Sequence, residues 1–136
     1  MLRLFVAVIA GIVAGSAVNM GLILLGPVII PPPPGVDMST TQGMQSGISQ
    51  LSAKHFLFPF LAHAVGTFAG ALTTYLIARL HRIRAAWGVG LFFLMGGVIA
   101  AQLIPAPIWF IVVDLAVAYL PMTWLAIFIG GRSGQA

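Results

Sequence analysis

Residues 85–129 read AAWGVGLFFLMGGVIAAQLIPAPIWFIVVDLAVAYLPMTWLAIFI. One residue in this stretch, Asp114, carries a formal charge. Pro105-Ala106-Pro107 divides it into two apolar runs, each near the roughly 20 residues that cross about 30 Å of hydrocarbon. In lipid the backbone amides must bond within the segment, so each run is predicted to be a helix. The Pro-Ala-Pro link is long enough only for a tight hairpin, which makes the two helices antiparallel neighbours.

Two more segments of this kind lie upstream. The expected spans are 4–30, 56–80, 85–104 and 108–129, with a loop at 31–55 and a brief basic link at 81–84. The alternating pattern of a membrane barrel is absent. The expected fold is therefore an all-α integral membrane protein, one domain over 1–136, with four transmembrane helices in an antiparallel bundle. At the amino terminus, Arg3, the apolar run 4–14 and the small residues Gly15-Ser16-Ala17 also fit a secretory signal. The apolar run continues to Ile30, so a retained helix is the expectation.

Composition agrees. The chain has 136 residues, 60% of them hydrophobic and only 6% charged, against roughly a quarter charged in soluble domains. The formal charge is +4. A basic protein invites a nucleic-acid reading, but that needs a basic face on a soluble fold; here the cations flank apolar segments, and no nucleic-acid partner is expected. Arg3, Arg79, Arg82, Arg84 and Arg132 all fall on one side of a four-span topology, and only Lys54 falls on the other. Cytoplasmic loops carry the excess of Lys and Arg. Both termini are therefore expected in the cytoplasm, with the chain in the inner (plasma) membrane. Trp87 and Trp109 fall near opposite interfaces, as an aromatic belt requires.

The 31–55 loop opens with four prolines, an extended stretch, and Gly35 permits a turn. Ser39 and Gln42 have the spacing of a capping box, and Met44, Ile48 and Leu51 recur at helical spacing. A short amphipathic helix over 39–54, lying at the outer interface, is expected.

Few residues carry chemistry. Cysteine is absent, which excludes thiol catalysis and thiolate metal sites, and both acids are aspartates, Asp37 and Asp114. An ionised Asp at mid-bilayer costs on the order of 3 kcal/mol to insert, so Asp114 should face the bundle and find a partner. It lies about 10 Å below the outer end of its span, and His63 lies at the same depth on another. An imidazole beside a carboxylate lowers the cost of burying both and forms a proton-accepting unit. A second layer, Asn19 and Thr67, falls about 16 Å deep. The economical packing sets Gly11 and Gly15 of the first span against Gly66 and Gly70 of the second, with Asn19 bonding Thr67 or His63. Pro121 interrupts the fourth span and is a candidate hinge, with Tyr119 and Thr123 close enough along the helix to line the bend.

No metal-ligand spacing, phosphate loop or nucleotide fingerprint occurs, and no cofactor is expected. Small multidrug exporters carry an acidic residue in their first span, which this chain lacks. Three functions fit the remainder. The first is transport or channel activity for a small solute or ion through the polar pocket of His63, Asp114, Asn19 and Thr67, in a homo-oligomer. The second is a structural subunit that binds other membrane subunits through its glycine-rich faces. The third, ranked below these, is a membrane enzyme acting on a lipid or quinone.

Overall fold

A computed structural model describes residues 1–133. The described residues are all-helical, with no strand. Helix α1 spans Leu2–Ile29, α2 Thr41–Gly47, α3 Leu57–Ile77, α4 Arg82–Leu103, α5 Ile108–Val117 and α6 Leu120–Ser133. Two 3₁₀ turns, Ile48–Gln50 and Ala53–Phe56, lead into α3. Four helical stretches are long and apolar enough to cross a membrane: Leu2–Ile29, Ala53–Ile77, Arg82–Leu103 and Ile108–Arg132. The last contains both α5 and α6, so the fourth expected span is one stretch with a break in it.

Glycine sets how closely these helices meet. A Cβ added to Gly11 would lie 2.6 Å from the Gly70 carbonyl, and one on Gly15 would lie 2.7 Å from the Gly66 carbonyl. Real side chains do not tolerate such contacts, so α1 lies against α3 backbone to backbone, as small residues allow in apolar surroundings. Gly26 meets Phe58 in the same series, so the two helices run in opposite senses. At the far end the Arg3 Nε donates to the Ile77 carbonyl at 2.8 Å, supplying a donor to one of the last carbonyls of α3.

The other helices pack large side chains into glycine slots. Gly97 of α4 lies under the Tyr119 ring, Gly90 under Thr123, and Gly130 of α6 under Tyr75. Helix α3 lies at the centre, touching α1, α4, α5 and α6. Its buried Ala71 and Tyr75 join Ala86 and Ala126 in one apolar cluster, and its Ala64 joins Ala118 and Tyr119 in a second.

The 31–55 loop differs from expectation in its caps. Gly35, at φ 87, turns the chain after the prolines, and Val36 N–H bonds the Pro33 carbonyl at 3.2 Å. The expected capping box at Ser39 does not form. Thr40 is the N-cap, its hydroxyl accepting from Gly43 N–H at 3.0 Å, while the Ser39 hydroxyl donates to Asp37 at 2.6 Å. The Ser39 hydroxyl and amide hold the exposed Asp37 carboxyl below its ordinary range. The expected 39–54 helix is reduced to α2 and the 3₁₀ turn that follows it, in keeping with the helix-weakening Gly43 and Gly47. Gln45 Nε2 then donates to the Leu103 carbonyl at 2.6 Å, so the loop caps the end of α4.

His81 precedes α4 in the left-handed region, at φ 53, and is the only non-glycine with positive φ among the described residues. Replacing His81 by Gly removes the steric cost of that conformation and should stabilise the protein by about 1 kcal/mol. Gly15→Val, which drives a side chain into the Gly66 carbonyl, should destabilise by about 1–3 kcal/mol. Gly21→Ala, in open space, should be neutral or stabilising by up to about 1 kcal/mol. Unfolding of the three variants in mixed micelles checks the order.

Candidate functional site

The polar centre is built from three side chains, two on helices and one in the break between α5 and α6. Asp114 stands in the second half of α5, His63 in the second turn of α3, and Tyr119 between α5 and α6. The His63 Nδ1 lies 2.9 Å from both carboxylate oxygens of Asp114. A carboxylate only accepts, so Nδ1 carries the proton and donates. The Tyr119 hydroxyl donates to Oδ2 at 3.3 Å, and its ring stacks on the imidazole at 5.7 Å between centroids. Asp114 is 4% exposed. The His63 side chain is 21% exposed, and its Nε2 has no hydrogen-bond partner among the described residues.

The break between α5 and α6 places Tyr119. Pro121 has no amide hydrogen, so the regular ladder fails there. The Tyr119 carbonyl receives both the Thr123 amide and the Thr123 hydroxyl, each at 2.9 Å. In an unbroken helix, residues five apart point about 140° away from one another. The break and the Gly97 slot bring the Tyr119 phenol back over Asp114. Sequence reading marked Pro121 as a hinge and Tyr119 as lining the bend. It did not identify Tyr119 as a donor to the carboxylate, because a proline signals a break but not the sense in which the chain turns.

No family model, curated protein or solved structure matches this chain.

The remaining expected site residues are only partly brought together. Gly11, Gly15, Gly66 and Gly70 meet at the α1–α3 contact. Asn19 lies over Gly66, its Cβ 3.0 Å from where a Gly66 Cβ would stand. The expected Asn19 hydrogen bond to Thr67 or His63 is not made: Asn19 Oδ1 and Thr67 Oγ1 are both buried without partners. Thr67 is one residue, about 100°, further round α3 than the bare glycine that admits Asn19. His63, Asp114 and Tyr119 thus form the centre, and Asn19 and Thr67 lie outside its hydrogen bonds. No group of three His or Asp side chains suited to a metal occurs among the described residues. His55 acts elsewhere. Its Nδ1 accepts from Ser52 N–H at 3.1 Å, which leaves Nε2–H to donate to the Pro31 carbonyl at 3.1 Å, tying the two ends of the loop together.

Chemically the arrangement is an imidazole oriented by a carboxylate behind it, with its second nitrogen unpaired among the described residues. Where a proton donor or acceptor reaches that nitrogen, such a pair exchanges a proton there while the carboxylate stabilises the imidazolium. A double-mutant cycle on His63→Ala and Asp114→Ala should give a coupling of about 1–2 kcal/mol, at the upper end for membrane helix pairs. Tyr119→Phe should cost about 0.5–1 kcal/mol, since its bond is longer. Denaturant unfolding in mixed micelles measures both; a coupling near zero would mean that the contact adds nothing to stability.

Proposed function

We propose that the four apolar stretches cross a bilayer as an antiparallel bundle, with the arginine-rich end in the cytoplasm of a cell with a plasma-type inner membrane. On this reading the His63–Asp114 pair lies within the membrane, nearer the outer side. We propose further that the protein moves a small solute or ion, with His63 taking up and releasing a proton as part of the cycle. The observation that carries this reading is the unpaired Nε2 of the part-exposed His63, set against a carboxylate that is almost fully buried. A contact serving only to join helices needs one ring nitrogen and gains from closing off the other. Pro121 and the break it makes supply a place where α5 can tilt on α6, with the Tyr119–Asp114 hydrogen bond spanning it. Four helices enclose little space, so the conducting unit is a homo-oligomer.

A second reading has its own support. Asp114 is gripped by two donors, and α1 buries only Ala7, Gly11, Gly15 and Gly26 among its residues. A polar clamp inside and a broad apolar face outside suit a structural subunit of a larger membrane complex.

Flux and stability measured together separate the two. Purified protein in proteoliposomes should move protons or a cotransported solute. Asp114→Asn and His63→Gln should lower that flux at least tenfold while the protein stays folded, as judged by its unfolding midpoint. No wild-type flux across a broad panel of ions and small solutes, with both variants markedly destabilised, would sink transport and leave the structural reading.

A further inference from the structure

The end of the molecule where α3 passes to α4 gathers most of its positive charge. Arg3 bonds the Ile77 carbonyl there, and the Arg82 guanidinium lies 4.7 Å from the centre of the Tyr75 ring. Gly130 packs on that same tyrosine, and Arg132 lies 4.5 Å over Phe128. These three arginines are therefore engaged by the protein itself. Arg79 and Arg84 are not. Both are exposed, and neither has a hydrogen bond, ion pair or ring contact among the described residues. They line one open cavity together with His81, Arg82 and Ile83. The chain has two acids, and neither is here: Asp114 is held by His63, and Asp37 caps the residues before α2 at the opposite end. The positive charge around this cavity has no protein counter-ion among the described residues.

Exposed apolar side chains adjoin it along the chain. Ile83, which lines it, is 51% exposed, and Leu80 and Leu76, just before it in sequence, are 72% and 57% exposed. Arginine forks match phosphate oxygens in planar, bidentate fashion, and exposed aliphatic side chains beside them suit an acyl chain. A free phosphate uses the first feature and has no use for the second.

Resting on the membrane reading above, we infer that the cavity formed by Arg79, His81, Arg82 and Arg84 binds the phosphate headgroup of an anionic phospholipid, with Leu80 and Ile83 against its acyl chains. Arg79 and Arg84 are the specific ligands. The lipid fixes the α3–α4 link, whose first helical residue follows the left-handed His81.

The test compares nanodiscs of phosphatidylglycerol with nanodiscs of phosphatidylcholine, and titrates short-chain forms of each lipid into the detergent-solubilised protein. Wild type should unfold at a higher temperature in phosphatidylglycerol and should prefer the short-chain anionic lipid. Each near-surface arginine is worth roughly a factor of five in such binding, so Arg79→Gln with Arg84→Gln should weaken it about 25-fold. Arg132→Gln removes a charge of the same sign from outside the cavity and should weaken binding by no more than about fivefold, well short of the double change. Equal behaviour in both lipids, or a preference that survives the double change, would overturn the inference. Stabilisation by millimolar inorganic phosphate without any lipid preference would overturn the lipid assignment as well. Failure to enter nanodiscs of either composition would sink the membrane reading and this inference together, whereas entry with no lipid preference sinks this inference alone.

Discussion

A carboxylate among apolar helices is the constraint that organises this protein. Asp114 belongs to a segment, Ile108–Val117, that has no other polar side chain. Leaving its charge unpaired in such surroundings costs several kcal/mol. The fold answers with two donors from outside α5. One is an imidazole on α3; the other is a phenol that reaches back past the helix break. Each answer imposes a further condition. The imidazole requires α3 to pass beside α5 at the depth of Asp114. The phenol requires the break at Pro121 and a glycine at position 97 to receive its ring. Three elements are thus held in register by one charge.

On the membrane reading proposed above, no strong hydrophobic drive acts between the helices, and they associate by close fit. This chain reaches that fit in two ways. Along α1 and α3, glycine faces glycine and the backbones approach directly. Along α4 and α6, glycine faces a large or branched side chain, with Tyr119 on Gly97, Thr123 on Gly90 and Tyr75 on Gly130. The second mode leaves α3 and α6 carrying the bulky residues that fill the centre, and leaves α1 with most of its surface uncovered.

The broad plan was legible because it rests on length and composition. Four runs near 20 apolar residues, separated by Pro-rich or Arg-rich links, leave few alternatives to four long helices. The equal depth of His63 and Asp114 was legible for a related reason. Helical rise is constant, so distance from a span end can be counted along the sequence. Rotation about the helix axis was harder. Asn19 and Thr67 share a depth, yet they lie at different angles and do not bond. Tyr119 was recognised only as part of a bend, because its direction depends on the angle at Pro121. Caps in the 31–55 loop were hidden by local competition. Ser39 had the spacing for a capping box, but Asp37, two residues earlier, captures its hydroxyl, and Thr40 takes the cap.

The two ends of the molecule are closed by different means, and the two differ in how firmly they hold. At the arginine-rich end, guanidinium groups reach helix carbonyls and aromatic faces directly, as Arg3 does at Ile77. At the other end a folded loop does this work. Gln45 caps α4 at Leu103, and His55 ties the start of the loop at Pro31 to the turn that begins α3. His63 lies below that loop, on the helix that His55 anchors. Helix α2 of that loop is only seven residues long and held by few bonds. A segment with so few buried contacts opens at low free energy. The loop, rather than the tightly joined α1–α3 pair, is therefore the part of this fold that opens most readily.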